Sequence, residues 1–237
     1  MLQIHQFAPV DNIQFSPFCL KVEVYCQLTG IPFLSVATMP NKSPTGKLPF
    51  IIDDKNIIAD SGRIIDYLKQ TRGDPLDGLL DDRQHALGHL IRRTCEENLI
   101  FSILYSRWLD EENWPKFRDL IFCDLPFFLK PIIPALLRKK IQKSIYSRGL
   151  KSNVRDIIYQ SGIADLKALS VFIKKNSFAV TDKATSYDAT VFAFLSTFTD
   201  SRLKSPLGDY VSGSDELRDY IIRMQDLISA DHEKPLG

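Results

Sequence analysis

Apolar and polar positions change rhythm about a third of the way along the chain. Residues 2–7 form a short apolar run that suits a β-strand. Over residues 19–29, Leu20, Val24 and Leu28 recur at helical spacing, and Gly30 is placed to end that helix in a left-handed conformation. Residues 32–38 are rich in β-formers and follow a turn, so they read as a second strand. Residues 48–53 and 57–59 read as two strands joined by the turn Asp53-Asp54-Lys55-Asn56, a hairpin. Asp60-Ser61 then caps a helix that runs to about Gln70, with Ile64, Ile65 and Leu68 facing inward. The order β-α-β, β-β-α predicts a compact α/β unit with a mixed sheet.

The stretch 72–82 is different. Gly73, Pro75 and Gly78 alternate there with Asp74, Asp77 and Asp81, and residues 73–82 read as a linker. Beyond it the period is helical throughout. Candidate helices span 83–109, 114–123, 132–149, 153–175, 187–197 and 215–230, and the polar residues 231–237 are expected to fray. The domain division is therefore 1–72 and 83–230. The most apolar segment, 120–137, contains Asp124 and Lys130 and is broken by Pro126, Pro131 and Pro134. Those residues argue against a single spanning helix and for a helix, a turn and a second helix start in a packed core.

Composition narrows the function classes. The 237 residues carry a net charge of +1, so no global field favours nucleic acid. The 4 cysteines are dispersed at 19, 26, 95 and 123, without the pairing of a zinc site. The start Met1-Leu2-Gln3-Ile4-His5 lacks the basic and long apolar regions of a signal peptide, so a reducing cytoplasmic location is expected.

Three short motifs carry candidate chemistry. Ser16-Pro17-Phe18-Cys19 sits at a strand–loop–helix junction, where backbone N–H groups and the helix dipole favour a thiolate. Ser16 reads structurally as a helix N-cap with Pro17 at the first helical position, and functionally as a hydroxyl donor to a ligand sulfur. Cys19, one turn in, reads as a buried small residue and not as a nucleophile. In Gly46-Lys47-Leu48-Pro49-Phe50 the proline belongs at a strand start. The segment is either a plain turn or a cis-proline loop that leaves the Leu48 backbone free for a peptide-like ligand. Asp60-Ser61 is a helix cap that can also take a ligand carboxylate on Ser61 and an ammonium on Asp60. Together the three motifs offer what a small zwitterionic thiol peptide needs. A fourth motif, Thr185-Ser186-Tyr187-Asp188, has the form of a capping box and is expected to serve folding alone.

These motifs resemble the cytosolic glutathione S-transferase superfamily. The likeness is greatest to the branch that holds the failed-axon-connections and metaxin-like proteins, which has bacterial members. It is carried by residues 16–23, 44–51, 58–61 and 187–192, and by 125–150 with Arg138-Lys139-Lys140. The resemblance implies a thioredoxin-like N-terminal domain that binds glutathione as co-substrate, an all-helical C-terminal domain, a homodimer and no metal. It implies Ser16 as the catalytic residue, and Lys47, Leu48, Pro49, Asp60 and Ser61 as the glutathione contacts, with Lys42 also in reach of the glycyl carboxylate. The first strand carries no tyrosine, so activation of the thiol would fall on Ser16 or on backbone N–H groups. A small hydrophobic electrophile would lodge against Phe18, Phe101, Tyr105 and Trp108, the last three near one helix face, where core packing is the alternative. The metaxin-like branch also includes proteins of membrane attachment and transport. Arg138, Lys139, Lys140 and Lys143 would suit an anionic membrane surface in a non-catalytic scaffold.

Overall fold

The computed structural model describes residues 1–147 and 154–232. Strand β1 (Leu2–Gln6) alternates buried and half-buried positions, with Leu2 and Ile4 in the core. It is central in a four-stranded sheet of order β2-β1-β3-β4. β2 (Phe33–Ala37) pairs with it in parallel and β3 (Phe50–Asp53) antiparallel, and β4 (Asn56–Ala59) folds back on β3 as the expected hairpin. The path from β2 to β3 holds only a short 3₁₀ turn, Pro40–Lys42. Helix α1 (Pro17–Leu28) ends before Gly30, whose φ of 65° is the left-handed stop foreseen from the pattern. Helix α2 (Ser61–Arg72) buries Ile64, Ile65 and Leu68 as expected.

The helical part starts one residue earlier than its period suggests. Asp81 caps α3 (Asp82–Arg93) in a capping box: its carboxylate accepts from the Gln84 N–H at 2.7 Å, and Gln84 Oε1 accepts from the Asp81 N–H at 2.9 Å. The long helix expected over 83–109 is helical throughout but not uniform. A π-helical turn, Thr94–Leu99, joins α3 to α4 (Ile100–Trp108). The apolar segment 120–137 is helix, turn and helix start, from α5 (Trp114–Ile121) to α6 (Ile133–Tyr146). Helix α7 (Val154–Asn176) follows; the expected end of the preceding helix at 149 and the start at 153 fall outside the described residues. Helix α8 (Ser186–Leu195) is buried along nearly all its length, and the Thr185–Asp188 capping box forms as expected. The Asp188 carboxylate accepts from the Thr185 N–H and hydroxyl, the Ala179 N–H and the Tyr220 hydroxyl. Helix α9 (Pro206–Gly213), capped by Ser205, was not foreseen, and α10 (Asp215–His232) completes the described chain.

Helix α1 has no open face. It packs on β1 and α2 on one side and on α8 and α10 on the other. Its mid-point Lys21 is only 1% exposed, and its Nζ lies 2.6 Å from Glu96 Oε1 on the π turn. Burial pushes the Lys21 pKa down, and Glu96 works against that shift. The linker is also engaged. Asp77 is fully buried and accepts from Lys69 Nζ, the Ser186 hydroxyl and the Ser186 N–H, the last at 2.7 Å. Removing one partner of a buried pair strands the other charge, which costs about 3 kcal/mol. Lys21→Met and Glu96→Gln should each lower unfolding stability by about that amount in urea titrations. The double variant Lys21→Met/Glu96→Leu should recover most of the loss. Single variants within about 0.5 kcal/mol of the parent would show that the pair matters little.

Candidate functional site

The registers of the sheet gather the three motifs. Phe50 pairs with His5 on one side and with Ala59 on the other. One step further, Pro49 falls beside Gln6 and Asp60. The ends of β1 and β4 and the start of β3 therefore share one sheet edge, and β2, parallel to β1, ends there too.

Gln14 brings Ser16 to this edge. Its Nε2 donates to the Phe7 carbonyl at 3.0 Å, and its Oε1 accepts from the Ser16 N–H at 3.1 Å. One turn on, Cys19 packs with Leu48 and Phe50. Ser16 is the N-cap of α1, accepting from the Cys19 N–H at 3.4 Å. A hydroxyl has one proton and two acceptor positions, so capping leaves the proton for another acceptor, at the positive end of a 12-residue helix. The structural and chemical readings of Ser16 are thus compatible. Cys19 is fully buried, and burial pushes its pKa up to about 11, with the Ser16 hydroxyl only partly opposing. That is no nucleophile at neutral pH.

The Leu48–Pro49 peptide is cis, a point the sequence left open. The Leu48 N–H and C=O make no hydrogen bond to other described residues, because the ladder begins at Phe50. Lys47 beside it is exposed, as is Lys42 at the end of the 3₁₀ turn. Asp60 has φ 84° and ψ 126°, a conformation that costs a non-glycine residue about 1–3 kcal/mol. Its Oδ1 offsets part of that by accepting from the Gly62 N–H at 3.0 Å and the Arg63 N–H at 3.2 Å. The Ser61 N–H and hydroxyl are left without a described partner at the helix N-terminus, where a carboxylate fits.

The four expected electrophile contacts do not converge in the same way. Phe18 meets Phe194 edge-on at 5.6 Å, and Phe101 packs half-buried on the main core. Tyr105 is 9% exposed and set edge-on to Tyr159 at 5.7 Å, which is core packing. Trp108 stacks on Trp114 at 5.5 Å in a separate aromatic cluster with Phe117, against which Phe15 also packs. Arg107 was not singled out by any sequence signal, yet it ties that cluster to the site. Its Nη1 donates to the Phe15 carbonyl at 2.6 Å and its Nη2 to the Thr197 carbonyl at 3.2 Å. The guanidinium also lies over the Phe15 ring at 5.3 Å, and burial pushes its pKa down to about 10. Phe15, and with it Ser16, is thereby fastened to the helical part.

Comparison with known proteins places the chain in a family. Residues 17–113 match the glutathione S-transferase N-terminal domain and residues 162–224 the C-terminal domain. Isoprene-epoxide–glutathione S-transferase of Rhodococcus sp. strain AD45 is 30% identical over 240 residues, covering 95% of this chain and 98% of its own length. The chain belongs to the glutathione S-transferase family. Failed axon connections of Drosophila melanogaster is 29% identical over 95% of this chain and 57% of its own length, in line with the branch that the motifs resemble. The fold of this chain is also that of a beta-etherase from Sphingobium, with a TM-score of 0.69 at 16% identity over 98% of both chains.

The thiols of this protein separate by burial. Cys19, Cys26 and Cys95 are buried, each with its pKa pushed up, whereas Cys123 is exposed. Brief iodoacetamide treatment of the native protein at neutral pH should label Cys123 alone, and Cys123→Ser should abolish labelling in intact-mass spectra. Labelling of Cys19 under those conditions would contradict its assignment as an inert core thiol.

Proposed function

We propose that this protein is a transferase that binds glutathione along the shared sheet edge and directs its thiolate at a small apolar epoxide. The observation that supports the reading is the convergence, on one edge, of the Ser16 hydroxyl at the start of α1 with two groups left without a described partner, the Leu48 backbone and the Ser61 N–H. The γ-glutamyl carboxylate accepts from the Ser61 N–H and hydroxyl, and its ammonium faces Asp60 Oδ2. The cysteinyl N–H and C=O pair with Leu48 beside Pro49. The glycyl carboxylate lies toward Lys47 and Lys42.

Ser16 donates to the sulfur. One hydrogen bond to a charged acceptor is worth about 1.5–3 kcal/mol. That lowers the thiol pKa by about one to two units, since a unit is 1.36 kcal/mol. The proton leaves to solvent. The thiolate then attacks an epoxide carbon: a C–S bond forms, the C–O bond breaks, and the alkoxide takes a proton from water. The epoxide class follows the activity named in the Rhodococcus relative, and the apolar side chains of Phe18, Phe101 and Trp108 suit it, with Tyr105 in the supporting core. The family resemblance extends the proposal to a cytoplasmic homodimer.

A second reading rests on another surface. Phe127 is 85% exposed, Phe128, Ile132 and Leu136 are exposed as well, and Lys130, Lys139, Lys140 and Lys143 accompany them. Among the described residues no helix is long and apolar enough to cross a membrane. A non-catalytic scaffold would use this face to lie on an anionic surface. Conjugation assays separate the readings. With glutathione and a small epoxide, Ser16→Ala should lower kcat/KM by about ten- to a hundredfold while glutathione still binds. Unchanged turnover would remove Ser16 from the mechanism, and a parent protein that fails to bind glutathione would favour the scaffold.

A further inference from the structure

A second polar cavity lies between the domains, apart from Ser16 and Leu48. It has a volume of about 90 Å³, room for several water molecules, and is bounded by α1, α2, α3 and α8. Lys21, Lys69, His89 and Arg92 bring positive or titratable nitrogen to it, and Thr190 lines it from α8. The charges are not equivalent. Lys21 is answered by Glu96 at 2.6 Å, and Lys69 by Asp77 and by Asp74 at 3.3 Å. Arg92, half-buried, has no carboxylate at ion-pair distance among the described residues, and its charge bears on that of Lys21.

Two further observations mark the cavity as built for a ligand. The Thr190 hydroxyl is fully buried and has no hydrogen-bond partner among the described residues, a costly state unless something supplies one. Opposite, Gly62 makes room for the guanidinium: a Cβ at position 62 would lie 2.8 Å from Arg92 Nη1. The Asp60 carboxylate, whose Oδ1 would lie 3.3 Å from that same Cβ, is not within ion-pair distance of Arg92 and is engaged with backbone N–H groups. A guanidinium without a carboxylate partner and a buried, unpartnered hydroxyl, both on residues that line one small polar space, match the donor needs of a tetrahedral or planar oxyanion. Exposed Asp66 at the rim limits the site to ligands that keep their bulk away from it.

We propose that this cavity is a second binding site, distinct from that for glutathione, which takes a small oxyanion: phosphate, sulfate or the terminal anionic group of a metabolite. Arg92 supplies the charge and the paired donors, and Thr190 one hydroxyl hydrogen bond. Because the cavity adjoins the first turn of α2, the test must separate it from the proposed γ-glutamyl pocket at Ser61.

Isothermal titration of inorganic phosphate into the full-length protein, with and without saturating glutathione, does so. Saturable binding is expected in both, with similar affinity. Arg92→Ala should weaken it about tenfold or more and leave glutathione affinity unchanged within about twofold. Thr190→Val, which keeps the side-chain shape, should weaken it a few-fold at an unaltered unfolding midpoint. A phosphomonoester that binds tighter than phosphate would identify a metabolite's terminal group, and equal binding would identify the free ion; either supports the site. Absence of saturable binding, an Arg92→Ala variant that binds as the parent does, or displacement of phosphate by glutathione would overturn it.

Discussion

A buried ammonium group at the centre of helix α1 governs how the two halves of this protein meet. Between a sheet and a helical domain α1 has no solvent to offer Lys21, so a carboxylate must come from the other side. Glu96 arrives on a π-helical turn that interrupts an otherwise regular rod. Two more polar ties run the same way: Asp77 of the linker to Ser186 at the start of α8, and Arg107 of α4 to the carbonyl of Phe15. Pairs of this kind add little net stability over apolar packing, but leaving any member unpaired is costly. Each ties a residue of the first domain or the linker to a named residue of the helical domain.

These ties reach the site. Ser16 is held by Gln14 toward β1 and, through Phe15 and Arg107, toward the helical domain. Leu48, Pro49 and Asp60 flank strands β3 and β4, Leu48 packs on Cys19 and Asp60 caps α2, so they are held within the first domain and not by the domain interface. The glutathione contacts of the proposal are thus mostly local to one domain, whereas the position of the sulfur donor is shared between both. A substitution at the interface should therefore disturb the reacting end of the ligand more than its γ-glutamyl end.

Much of this was legible in the chain because the signals are local. Ser16-Pro17, Gly30 and Asp60-Ser61 announce helix ends with side chains that act within three or four residues, and the strand lengths follow from short apolar runs. Helix α9 escaped because eight residues with two glycines give no period, although Ser205-Pro206 is the same start signal as Ser16-Pro17. The π turn escaped because one wide turn barely shifts a 3.6-residue rhythm. Asp77 looked like linker because its partner in the helical part, Ser186, is 109 positions away. Phe101, Tyr105 and Trp108 share helical spacing, which is the same for core and cleft; only the packing distinguishes buried Tyr105 from Trp108 in its aromatic cluster.

The central claim is that the reactive sulfur belongs to the ligand and that Ser16 keeps it ionised. The ultraviolet thiolate absorbance of bound glutathione, followed against pH in the parent protein and in Ser16→Ala, tests it most directly. The account predicts an apparent thiol pKa below that of free glutathione in the parent, rising by about one to two units in the variant. Equal titration curves for parent and variant, or a bound thiol that titrates like the free peptide, would contradict it.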